Sequence, residues 1–130
     1  VGTERYADLY RGIFELKKTS KVFKALSDET RLRILKMLEV RPLCVCEIQY
    51  VLKGSQPNVS HHLKTLSEAG LVDSKRDGLW IVYRITETPE TPLHASALSL
   101  LHRSLKQDER IKKDRTAIKG VNRIDISLKK

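Results

Sequence analysis

The sequence predicts a mainly α-helical domain that carries one small β-hairpin. Three observations lead there. Apolar residues recur at helical spacing along most of the chain. A Gly54-Ser55 joint separates two short helical stretches. Residues 71–85 switch to strand-like alternation around Asp77-Gly78, a pair suited to a tight turn. The 130 residues fit one ordinary domain, and 40% of them are hydrophobic, enough for a core without disulfides or a structural metal.

Each element has its own signal. Tyr6, Leu9, Tyr10, Ile13, Phe14 and Leu16 give a helix over residues 4–18, and Thr19-Ser20 is expected to break it. Val22, Phe23, Ala25 and Leu26 open a second piece. Ser27 or Asp28 can cap the next helix, which runs from about Thr30 to Glu39 with Leu32, Ile34, Leu35 and Leu38 inward. Arg41-Pro42 ends it, because proline lacks a backbone donor and disfavours helix in the residue before it.

Residues 43–53 then read as a short helix stopped by Gly54. Ser55 caps the next one, about residues 56–69, with Pro57 in its first turn and Val59, Leu63 and Leu66 buried. Leu71-Val72 and Ile81–Ile85 form the hairpin. Residues 86–92 are a proline-bearing linker. A last helix follows from Leu93, with Leu93, Ala97, Leu98, Leu101 and Leu105 on one stripe. The expected division is a domain over residues 1–106 and a basic extension over 107–130. That extension is either flexible or a continuation of the last helix.

Charge narrows the choice of partner. The net charge is +9, and residues 101–130 hold ten Lys/Arg against four Asp/Glu. A basic balance suits a polyanion, though many basic domains are merely soluble. No run of 18 apolar residues exists to span a membrane, so no membrane partner is expected. The charged start of the chain is unlike a signal peptide, so a cytoplasmic protein is expected. Nucleophile–base pairs, paired carboxylates, P-loops and Gly-rich dinucleotide motifs are missing from the sequence, which argues against an enzyme.

Two short helices with a glycine-bearing joint, followed by a hairpin, make a winged helix-turn-helix. An α-helix fits the major groove of DNA and reads it from its N-terminal residues. On helix 56–69, Pro57, Asn58, His61, Lys64 and Thr65 lie away from the buried stripe. Gln56 and Asn58 carry the donor–acceptor pair that suits adenine. Ser55, Ser60 and Lys64 suit phosphates, which position without specifying. Lys75 and Arg76 sit beside the hairpin turn, where they can reach DNA or simply guard a strand edge. A solvated polar face is the alternative for the helix. His62 falls on the Val59–Leu66 side, so packing is its expected role.

Cys44 and Cys46 are one residue apart. Their spacing looks too constrained for an ordinary disulfide. In a regular helix, positions i and i+2 lie about 200° apart, so the pair shares one ion only if the helix start is distorted. A helix N-terminus favours the thiolate, and soft thiolates select soft ions. An inert or redox pair is the alternative.

In this order and spacing, ALSDETRLRIL, LCVCEI, SQPNVSHHLKTL and AGLVDSKRDGLWIVYRI resemble the ArsR/SmtB family of metal- and metalloid-responsive repressors over residues 22–85. The resemblance implies a homodimer joined by its N- and C-terminal helices. It implies repression at a double-stranded operator, an inverted repeat, and release when an inducer binds. It points to Cys44 and Cys46 as ligands for arsenite, antimonite or a soft divalent metal, with no cofactor required. The family's arsenic sensors often add a third cysteine three residues on, where this chain has Gln49; its cadmium and lead sensors add cysteines near the N-terminus, and residues 1–21 hold none. The family's alternative site on the last helix would have only His94 and His102 here. A redox-responsive regulator and a non-specific architectural DNA binder remain the competing readings.

Overall fold

The computed structural model describes residues 2–128, with side chains from Phe14 onward. Helix α1 (Gly2–Leu26) runs without interruption through Thr19-Ser20, contrary to the expected break. Two polar residues lower helix propensity only slightly, and tertiary packing of Val22 and Ala25 outweighs that. The stripe Tyr6, Leu9, Tyr10 and Ile13 lies outside the described side chains.

Helix α2 (Glu29–Leu38) begins at Asp28, whose carboxylate accepts the Arg31 amide at 3.0 Å. Its inner face, Ile34, Leu35, Met37 and Leu38, is the centre of the core. Strand β1 (Leu43–Cys44) follows, then α3 (Val45–Leu52). The expected helix over 43–53 is therefore shorter at its start. Leu43 and Cys44 pair instead with Tyr83 and Val82, a contact across the chain that local periodicity does not reveal. Helix α3 ends on Lys53 in the left-handed conformation (φ 56°), rather than on Gly54.

Helix α4 (Gln56–Glu68) is capped by Ser55 and buries Val59, Leu63 and Leu66. Strands β2 (Val72–Asp77) and β3 (Trp80–Ile85) form the hairpin, and Gly78 supplies the positive φ (62°) of its turn. With β1 they make a three-stranded antiparallel sheet in the order β1-β3-β2. Helix α5 (Pro92–Arg103) starts at the Thr91 cap. Buried His94 ties it to α4: Nε2 donates to the Ala69 carbonyl at 2.9 Å, and the Thr91 hydroxyl donates to Nδ1 at 2.7 Å.

The C-terminal extension departs from both expectations. The chain turns at Leu105 (φ 63°), and Asp108 caps a separate helix, α6 (Glu109–Lys119). Ile111 and Ile118 are buried, and Ile118 joins the central core. Buried Asp114 accepts Arg33 through both oxygens, at 2.7 and 2.9 Å. Helix α7 (Arg123–Leu128) then reaches the hairpin, where Arg123 meets Asp77 at 2.6 Å and lies over the Trp80 ring. The core thus continues past residue 106 into α6. No helix among the described residues is long and apolar enough to cross a membrane.

Candidate nucleic-acid interface and dithiol site

The exposed end of α4 is built by its cap. Ser55 Oγ accepts the Asn58 amide at 3.3 Å, and Pro57 occupies a first-turn position where no amide is needed. Val59, Leu63 and Leu66 anchor the opposite face in the core. Ser55, Gln56, Pro57, Asn58, His61 and Lys64 are all left exposed, and Ser60 is half-buried. Gln56 Nε2 donates to Ser60 Oγ at 2.9 Å, so these two side chains start out paired with each other. Helix N-terminus and side chains together present donors outward from a rigid element.

His62 faces inward, as helical spacing requires. Its Nδ1 accepts Arg31 at 3.3 Å, and burial holds its pKa below the ordinary imidazole value despite nearby Asp28. Arg31 also donates to the carbonyls of Lys24 and Ala25, which fastens α4 to the end of α1.

The hairpin separates its two cations. Lys75 is opposite Val82 and Arg76 opposite Ile81, so they point to opposite faces of the ribbon. Lys75 shares a cleft with Arg41, Glu47, Asp77 and Arg123, toward α7. Arg76 is turned away from it.

At the other end of the helix-turn-helix, Cys44 is both the last residue of β1 and the N-cap of α3. Its extended backbone (φ −85°, ψ 165°) takes it out of the helical spiral. The side chain therefore does not diverge from that of Cys46 as two helical neighbours would. The two sulfurs are in bonding contact as a disulfide, with the Cα atoms 5.5 Å apart, inside the ordinary disulfide range. The extended backbone of Cys44 brings the two sulfurs together without any unwinding of α3, contrary to the expectation from helical spacing.

Glu47 is the residue that sequence reading missed. It is buried, accepts the Cys44 amide at 3.0 Å and pairs with Arg41 at 2.9 Å. Arg41 continues to the carbonyls of Ile118 and Val121, at 3.0 and 2.6 Å. A capping residue three positions into a helix is a readable signal, since Glu at that position commonly reaches back to the N-cap amide. Glu47 is already engaged by Arg41, and no group of three or more His, Cys, Asp or Glu able to hold a metal is found among the described residues. His94 is occupied as described, and His102 Nδ1 lies 3.7 Å from Glu39.

A recognition-type helix anchored on a three-helix core and flanked by a hairpin defines a winged helix-turn-helix DNA-binding protein. The family profile described as bacterial regulatory protein, arsR family, matches residues 28–74. A transcriptional regulator of helix-turn-helix type from Methanocaldococcus jannaschii is 46% identical over 72 residues, covering 55% of this chain and 81% of that protein. The chain belongs to the arsR family of regulatory proteins. An arsenic resistance transcriptional regulator from Pseudomonas putida is 44% identical over 78 residues, 59% of each chain, so the match spans about three fifths of that relative. The homodimeric winged helix-turn-helix DNA-binding domain of a possible ArsR-family regulator from Mycobacterium bovis superposes with a TM-score of 0.61 at 27% identity, over 72% of this chain and 80% of that one. These relatives share the fold of DNA-binding regulators rather than of an enzyme.

Proposed function

We propose that the protein is a homodimeric, operator-specific repressor, released when a thiophilic species engages Cys44 and Cys46. The observation that carries this reading is the placement of the dithiol. Cys44 begins α3, and α3 leads through Lys53-Gly54 directly into the capped end of α4. Cys44 is also paired with Val82 in the hairpin. A change at this pair therefore acts on both DNA-facing elements through a covalent path and a strand pairing. Gln56 and Asn58 read bases, Ser55, Ser60 and Lys64 hold phosphates, and Pro57 and His61 complete the surface that meets the groove. Lys75 and Arg76 add backbone contacts from the wing.

Ion binding requires the reduced pair. Two small-molecule thiols reduce the disulfide and leave as one oxidised disulfide, giving two protein thiols. Arsenite then condenses with both thiols and releases two waters. The remaining ligand comes from solvent, because Glu47 is held by Arg41. A shift from mostly bound to mostly released takes a differential affinity of about 5.5 kcal/mol.

The sulfur–sulfur contact favours a second reading, in which oxidation of the pair is itself the signal. One experiment separates the two. Operator binding is titrated with arsenite under reducing conditions, and separately across a thiol–disulfide redox series, for the wild type and for Cys46→Ser. Arsenite release of the wild type alone supports ion sensing. A redox midpoint in operator affinity without arsenite supports oxidation. Equal behaviour of wild type and variant in both series removes the pair as sensor. Scrambled DNA in the same titration tests operator specificity, since an architectural binder shows no large ratio.

A further inference from the structure

A cleft of about 490 Å³ opens where the end of α2, the end of α5 and α6 meet. Five cations line it, Lys36, Lys106, Lys112, Arg115 and Lys119, against the single carboxylate of Glu39. That carboxylate is already saturated. Lys36 lies 2.7 Å from it and Arg115 3.2 Å. Lys36 is itself buried and completes its valence on the Leu101 and His102 carbonyls, at 3.0 and 3.4 Å. The wall is thus braced by protein bonds, while the amines of Lys106 and Lys119 are exposed and Lys112 has only Gln107 and a distant Glu109 for company.

The arrangement works against α6. Lys112 and Arg115 are three residues apart, and Arg115 and Lys119 are four, so like charges stack on one face. Such spacing destabilises a helix by a few tenths of a kcal/mol per pair. Partial relief comes from Glu109, 3.8 Å from Lys112, and from Glu39 on Arg115, while Asp114 is committed to Arg33 on the core side. Arg115 has a folding role, donating to the Lys36 carbonyl at 2.9 Å and pairing with Glu39, but Lys112 and Lys119 add like charge on either side of it, which an anion seated in the cleft would offset.

Lys112 and Lys119 are seven residues apart, which is about 10 Å along a helix. A single phosphate or sulfate does not reach both. The floor contains Leu105 and buried Ile111, which suit an apolar or ring portion. The volume lies within the roughly 300–1,000 Å³ of small-ligand sites.

We propose that this cleft binds a small organic anion bearing adjacent phosphoryl groups, of the nucleoside diphosphate class. Arg115 and Lys112 hold one phosphoryl group, Lys119 and Lys106 the ends of the ligand, and Leu105 and Ile111 its ring. Its lining includes neither cysteine and no groove-facing residue of α4, although Lys119 also lines the neighbouring cleft of Arg41 and Glu47.

The test is calorimetric titration of the full chain with ADP and with inorganic pyrophosphate near physiological salt. Saturable binding at one site per chain is expected, with ADP tighter than pyrophosphate. Lys112→Glu with Lys119→Glu should weaken ADP at least tenfold. Arg110→Glu with Lys113→Glu makes the same charge change on the outer face of α6 and should leave ADP binding within twofold. Absence of saturable binding overturns the proposal, as does an equal loss in both double variants. The third arm measures operator affinity of the Lys112/Lys119 variant. No change is expected; a tenfold fall with a shallower salt slope would assign the cleft to the DNA backbone instead.

Discussion

Asp28 shows how one side chain sets an element's start. Its carboxylate accepts the Arg31 amide, and that hydrogen bond is the main reason its pKa lies below the ordinary carboxylate value. A depressed pKa means that the unfolded state binds the proton more readily. The cap's contribution is then complete above the ordinary carboxylate range and fades as pH falls through it. Asp28→Ala should lower unfolding stability by about 1 kcal/mol at neutral pH. Denaturant titration should find the gap between wild type and variant shrinking toward pH 3. On α4 the same scale separates reading from holding. Asn58→Ala should reduce operator affinity by about 1–3 kcal/mol and relax preference at one base pair, whereas Lys64→Ala should weaken all sequences alike and lower the salt slope by about one. Operator titrations at several salt concentrations check both; unchanged affinity in both variants would place a different helix in the groove.

The elements that were legible in the sequence are those whose signals are local. Helix α4 announced itself through Ser55, Pro57 and the Val59–Leu63–Leu66 stripe, and the hairpin through Asp77-Gly78. Strand β1 did not, because Leu43 and Cys44 are extended only by virtue of partners some forty residues away on β3. The joining of Cys44 to Cys46 was hidden for the same reason: helical geometry was assumed for a residue that belongs to a strand. Helix α6 was missed because it has few apolar anchors, Ile111 and Ile118 among them, and its attachment is an ion pair formed over a long loop of chain. That attachment carries a prediction. Asp114 is almost wholly buried while Arg33 is partly exposed. Asp114→Ala, which leaves Arg33 beside an apolar wall, should cost about 3 kcal/mol, the lower end of the range for breaking a buried pair. Arg33→Met combined with Asp114→Leu should recover most of that loss, because neither charge is then left unpaired. A double-mutant cycle in chemical denaturation measures the coupling, and simple additivity of the two single changes would show that this ion pair does not hold α6 in place.

At the scale of the whole molecule, the surface that the core does not use is the α1/α5 face. Phe23 and Leu100 are each 60% exposed there, and with Leu26, Leu32, Leu93 and Ala97 they line an apolar cavity of about 410 Å³. A single domain gains nothing from holding Phe and Leu in water; burial of each is worth roughly 1.5–3 kcal/mol. A second copy would supply a matching surface, since a twofold interface is self-complementary. The homodimeric Mycobacterium bovis domain has the same fold. Dimerisation would set the two α4 helices about 34 Å apart, one turn of B-DNA, and so match an inverted repeat. Both halves then bind as one unit, and the second contact is made at high effective concentration. Phe23→Glu with Leu100→Glu should convert the protein to a monomer in sedimentation equilibrium while leaving its circular dichroism and its melting transition per chain largely intact, because neither side chain is in the core. Operator affinity should fall at least tenfold, which corresponds to about 1.4 kcal/mol. Affinity for a single half-site should not change. A wild type that sediments as a monomer at micromolar concentration, or a monomeric variant with undiminished operator affinity, would mean that α4 reads DNA one chain at a time and that the apolar face serves another purpose.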